Sequence, residues 1–126
     1  MDAIKIKETE DTPAIILDPE RDVFELAGRS MPEDVNQFYE PVLNWLESYG
    51  ENPNDKTIVI FKLTYFNTAS SKLLLDILLK LENIKEEGHD VEIKWFYPED
   101  DEDMQEAGEE YSEIVDLPFE IVEYGG

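Results

Sequence analysis

Residues 56–66, KTIVIFKLTYF, restrict the fold of this chain more than any other stretch. β-Branched and aromatic residues fill the segment, and its first half is apolar on both faces. That pattern predicts a central strand covered on both sides. The run stops abruptly at Asn67 and Thr68. Leu74, Ile77, Leu78, Leu81 and Ile84 then recur at helical spacing up to Gly88. A buried strand that turns into a helix within two residues, followed by a further alternating strand at Asp90–Tyr97 (DVEIKWFY), sets the class as α/β.

The flanking segments extend this pattern. Thr12–Leu17 (TPAIIL) and Val23–Ala27 (VFELA), separated by the turn residues DPERD, predict an antiparallel hairpin with Phe24 and Leu26 on one face. Ala3–Lys7 alternates and is expected as an edge strand. A helix is expected to start at Ser30 as N-cap, with Glu33 completing a capping box and Pro32 in the first turn. Its buried stripe would be Val35, Phe38, Tyr39, Val42, Leu46 and Tyr49, with a kink or short break at Pro41 because proline cannot donate to the Gln37 carbonyl. On the second helix, Asp76 and Lys80 are spaced for an i,i+4 ion pair. Residues 98–126 hold twelve acidic residues and no Lys or Arg. Within them, Met104, Ala107, Tyr111, Ile114 and Val115 predict an acidic amphipathic helix inside 98–116. Leu117–Glu123 would be a last strand, placed at a sheet edge by Pro118. The expectation is therefore one domain over residues 1–126, a mixed β-sheet packed with about three helices.

Charge and residue inventory exclude several functions. Ten Lys and Arg stand against thirty-two Asp and Glu, a net −22 that repels nucleic acid and anionic membrane surfaces. There is no cysteine, hence no disulfide, thiolate metal site or cysteine nucleophile. No stretch approaches the roughly 20 apolar residues of a membrane helix and no secretory signal is visible, so a cytoplasmic location is expected. His89, in the turn Gly88-His89-Asp90, is the only histidine and reads as a solvated turn residue rather than a base. The run EDDED at 99–103 lacks the glycine and spaced glutamate of a calcium loop, and no phosphate-binding glycine loop or nucleophile elbow occurs. No catalytic residue, cofactor or metal is expected. A hydrolase built on paired carboxylates has no constellation to support it, and an acidic mimic of nucleic acid, acting through 98–116, stands as an alternative binding function.

The remaining chemistry lies at the strand-to-helix junction, where Asn67, Thr68, Ser70 and Ser71 gather hydroxyl and amide groups. Residue types alone favour a capping role, in which Asn67 or Thr68 accepts from a free first-turn amide. The same free amides and the positive end of the helix dipole also suit a phosphate, which would add about −1.5 to −2 charges at one surface spot. Capping and switching are compatible.

The segment LTYFNTASSKLLLDIL, with LDPE (17–20), FELAGRSMPED (24–34) and FYEPVLNWL (38–46), resembles the signature of the SiaC family of bacterial regulatory phosphoproteins. The resemblance runs from about Thr12 to Tyr97. It implies a fold like that of the STAS-type anti-sigma-factor antagonists, in which a Ser or Thr at the start of a helix is phosphorylated. The usual antagonist pattern, Asp-Ser followed closely by Gly, is replaced here by Asn67-Thr68 followed by Ala69-Ser70-Ser71. The resemblance further implies a non-enzymatic regulator phosphorylated on Thr68 by a partner kinase with a histidine-kinase-like ATP-binding fold and reset by a PP2C-type phosphatase. Its unphosphorylated form would bind a diguanylate cyclase and promote cyclic di-GMP synthesis, influencing biofilm formation or aggregation. Tyr65, Phe66, Asn67, Ser70, Ser71 and Lys72 would form the docking surface. An anti-sigma-factor antagonist in a partner-switching system is the alternative within the same class.

Overall fold

A computed structural model describes residues 2–125; Met1 and Gly126, the ends of the 1–126 domain expected from the sequence, lie outside the described residues. Among the described residues six strands and three helices follow in the order β1 (Ile4–Ile6), β2 (Ala14–Asp18), β3 (Val23–Ser30), α1 (Val35–Tyr49), β4 (Lys56–Phe66), α2 (Thr68–Glu86), β5 (Asp90–Pro98), α3 (Glu102–Ile114) and β6 (Phe119–Tyr124). The sheet order is β1-β2-β3-β4-β5-β6. β1, β2 and β3 pair antiparallel, and each later pair is parallel. The mixed α/β class, the hairpin, the β4 boundaries and the edge position of β6 follow the sequence expectation.

This order decides which face is covered. Each crossover advances by one strand in the same direction. Crossovers of one hand then place α1, α2 and α3 all on the same side. Ile15, Leu17, Phe24, Leu26, Val59, Phe61, Leu63, Val91, Ile93 and Trp95 point into that side and are buried. The two-sided covering expected for β4 is therefore not found. Ile58 and Ile60 stand half-buried on the open face. They are flanked in register by Glu25, Glu92 and Lys94, whose stems cover apolar surface while their charges stay in water. Lys56 pairs with Glu92 at 3.6 Å and Lys94 with Glu120 at 3.9 Å on this face.

Other local expectations are corrected. Ser30 does not cap α1; it is the last residue of β3 and fully buried. The cap is Asp34, whose carboxylate accepts from the Gln37 amide at 3.0 Å. Pro32 and Glu33 precede the helix. α1 runs unbroken through Pro41, because that residue is exposed and leaves the Gln37 carbonyl open to water. Trp45 joins Tyr39, Val42, Leu46 and Tyr49 in the buried stripe of α1, whereas Val35 and Phe38 are half-buried. Lys80 pairs with Glu47 of α1 instead of Asp76. Asp34→Ala should lower unfolding stability by about 1 kcal/mol, whereas Glu33→Ala should leave it unchanged; urea denaturation of the two variants checks the assignment.

Candidate functional site

The site is built where β4 ends. β3 and β4 keep register up to Gly28 opposite Leu63, then shift so that Arg29 lies opposite Tyr65 and Ser30 opposite Phe66. The extra residue, Thr64, makes a bulge that reverses the alternation of β4. Tyr65 therefore points outward at 47% exposure, with the Arg29 guanidinium 5.7 Å from its ring centre. Phe66 turns toward the helices, 6.3 Å from Trp95 and 6.4 Å from Tyr111 between ring centres.

One residue later the helix begins. Asn67 adopts an extended conformation and its side chain accepts from the Ser70 amide at 2.9 Å. Its carbonyl accepts from the Ser71 amide at 3.1 Å, and its own amide donates to the Ser30 carbonyl at 3.1 Å. Of the four amides that a helix start leaves outside the helical ladder, these contacts engage Asn67 and Ser70, and the Thr68 and Ala69 amides are the other two. Thr68 is the first residue of α2 and is exposed. Lys72, also exposed, follows it at i+4, the spacing that brings two side chains together on a helix.

The junction does not bring all the expected docking residues to the surface. Tyr65, Thr68 and Lys72 are exposed, and Phe66, Asn67 and Ser71 are half-buried. Ser70 is 0% exposed; its hydroxyl donates to the Ser30 carbonyl at 2.9 Å and accepts from the Ser30 hydroxyl at 2.8 Å. It is thus an internal anchor and offers no contact to a partner. The Ser71 hydroxyl donates to the Thr68 carbonyl at 2.7 Å.

α3 supplies a wall of the site that lies outside the docking residues expected from the sequence. A groove of about 440 Å³ lies between the end of β4 and α3, lined by Thr64, Tyr65, Phe66, Met104, Ala107 and Glu110 among others. A second hollow continues it past Phe66, bounded by Ser71, Lys72 and Leu75 on α2 and by Ile114 on α3. Ile114, which shares the helical spacing of Met104, Ala107 and Tyr111, is 60% exposed. Met104, Gly108 and Tyr111 make the buried face instead. An apolar residue on the exposed flank of an otherwise acidic helix is the signal that points to this wall. The Tyr111 hydroxyl donates to the Ser71 carbonyl at 2.8 Å, tying α3 to the first turns of α2. Burial, with the charge of Glu110 adding to it, holds the Tyr111 hydroxyl above the usual tyrosine range.

The profile of the SiaC family regulatory phosphoproteins matches residues 6–124. The chain belongs to this family. An uncharacterized protein of Pseudomonas aeruginosa strain UCBPP-PA14 is 32% identical over 124 residues, covering 96% of either chain. SiaC of Pseudomonas aeruginosa superposes with a TM-score of 0.90 at 30% identity, over 98% of this chain and all of that one. SiaC in the crystal structure of the diguanylate cyclase SiaD in complex with its activator SiaC gives 0.89 at 30% identity, over 96% of this chain and 99% of the other. The SiaC family fold therefore accounts for the whole six-stranded sheet and its three helices. No helix among the described residues is long and apolar enough to cross a membrane.

Proposed function

We propose that this protein is a single-domain, non-enzymatic activator of a diguanylate cyclase, working in the cytoplasm and controlled by phosphorylation of Thr68. In its unphosphorylated form it binds the cyclase and promotes cyclic di-GMP synthesis. A partner kinase with a histidine-kinase-like ATP-binding fold phosphorylates Thr68 and ends the interaction, and a PP2C-type phosphatase restores it. The observation that carries this reading is the likeness, over nearly the whole chain, to SiaC as found with its cyclase SiaD.

The geometry at Thr68 agrees with such a switch. An exposed hydroxyl on the first turn of a 19-residue helix lets a phosphate gain the Thr68 and Ala69 amides and the Lys72 ammonium without any unfolding. The docking surface would comprise Tyr65, Phe66, Asn67, Ser71 and Lys72, extended along the groove toward Ala107 and Ile114. A phosphate beside this partly apolar surface adds charge that a bound partner must desolvate.

The test is to titrate the cyclase with the protein before and after kinase treatment, and with Thr68→Glu. Phosphorylation should weaken binding by about tenfold or more, as expected for added charge that a closed interface must desolvate, and should lower cyclase activity in parallel. Equal binding and equal activation by both forms would reject the switch.

A further inference from the structure

A chain of buried hydroxyls lies directly beneath the turn that carries Thr68. Tyr39 on α1, Ser30 at the end of β3 and Ser70 on α2 are each 0% exposed. The Ser30 and Tyr39 hydroxyl oxygens are 2.6 Å apart. Ser30 Oγ donates to Ser70 Oγ at 2.8 Å, and Ser70 Oγ donates to the Ser30 carbonyl at 2.9 Å. Each hydroxyl has one proton to give. With the Ser30 and Ser70 protons committed, the Tyr39 proton goes to Ser30 Oγ, and the chain runs in one direction from Tyr39 through Ser30 to Ser70 and back to the Ser30 carbonyl. Burial pushes the Tyr39 hydroxyl up to about 12, only partly offset by its bond to Ser30, so the donating form is the one present.

The same Ser30 carbonyl also takes the Asn67 amide. Thr68 therefore sits between two residues, Asn67 and Ser70, that are both fastened to one carbonyl of β3. Three hydroxyls placed in an otherwise apolar core fix one arrangement of their neighbours, because any shift leaves a buried polar group without a partner. The equivalent contact at the far end of α1, where the Tyr49 hydroxyl lies 2.8 Å from Thr57 Oγ1 and accepts the Asn54 amide at 3.0 Å, does not touch α2.

We infer that Tyr39, Ser30 and Ser70 are positioning residues for Thr68. They hold the first turn of α2 in the single pose that the kinase accepts, and they make that pose depend on the seating of α1. This rests on the reading of Thr68 as the phosphoacceptor.

Tyr39→Phe removes one oxygen from the start of the chain, and Tyr49→Phe removes its counterpart from the far end of the same helix. The two variants should lose similar thermal stability. Tyr39→Phe should speed amide exchange at Ser70 and Ser71 by about fivefold to tenfold, the worth of one buried hydrogen bond. It should slow phosphate transfer to Thr68 by a comparable factor, and Tyr49→Phe should change neither. Ser30→Ala, which cuts the chain in the middle, should reproduce the Tyr39→Phe result. Equal effects of Tyr39→Phe and Tyr49→Phe on exchange and on phosphate transfer, or unchanged exchange at Ser70 and Ser71 in Tyr39→Phe and Ser30→Ala, would overturn the inference. Amide exchange needs no kinase. A parent protein that takes no phosphate on Thr68 would defeat the proposed switch, and exchange would still decide whether the hydroxyl chain pins the turn.

Discussion

Thr68→Ala is expected to fold as the parent does and to accept no phosphate from the partner kinase. Each half of this expectation follows from the junction. The Thr68 side chain is exposed, and the contacts that define the helix start run through Asn67 and through backbone atoms that alanine retains. Substitutions at such positions shift stability by no more than about 0.5 kcal/mol. The neighbouring hydroxyls cannot take over the reaction. Ser70 is fully buried and donates to the Ser30 carbonyl. Ser71 is half-buried and turned back onto the Thr68 carbonyl. Intact-mass measurement and peptide mapping after incubation with kinase and ATP read the outcome directly, and Thr68→Ser, which keeps the hydroxyl, should regain the phosphate. Stoichiometric phosphorylation of Thr68→Ala would move the switch to another residue.

Gly108→Ala should destabilise the protein by about 1–3 kcal/mol, the range found when a well-packed core is overfilled. The sign is what makes the prediction sharp. On an open helix surface, exchanging glycine for alanine adds about 1 kcal/mol of stability. Here a Cβ would come within 2.8 Å of Trp95 Cγ and Nε1 and closer still to Cδ1. Trp95 cannot yield: it is 0% exposed, stacked on Phe61 at 5.4 Å, and held by its indole N–H to the Met104 carbonyl at 3.0 Å. The strain must therefore lift α3 from β5. That movement would also displace Ala107 and Ile114, which line the groove beside Phe66. Urea denaturation followed by tryptophan fluorescence measures the loss. A Gly108→Ala protein more stable than its parent would show that α3 is not seated on Trp95.

The two predictions concern opposite sides of one surface. Phosphorylation of Thr68, as proposed, would change its charge without disturbing the core. Gly108 sets how closely the acidic helix approaches, and so determines the shape of the wall facing α2. In a chain of net charge −22, the close approach of α3 to the sheet depends on apolar and aromatic contacts at Met104, Gly108 and Tyr111, with its acids turned to solvent.

What the sequence determined by itself was local and periodic. The strand at 56–66, the helix that follows it and a cap at Asn67 or Thr68 were readable because each rests on neighbours a few residues apart. The long motif carried the family as well. Where distant segments meet had no such local signal. Ser30 reads as a helix cap in sequence and becomes a core anchor because Ser70, forty residues away, reaches its carbonyl. Lys80 reads as the partner of Asp76 and is taken by Glu47, since α1 and α2 lie side by side. Ile58 and Ile60 read as covered, yet three crossovers advancing in one direction leave their face of the sheet open. The strand-to-helix turn at Asn67 and Thr68 was thus legible as a short-range pattern. Its anchor in β3 and its α3 wall depended on register, on one bulge at Thr64 and on the packing of a tryptophan against a glycine, none of which has a local signature.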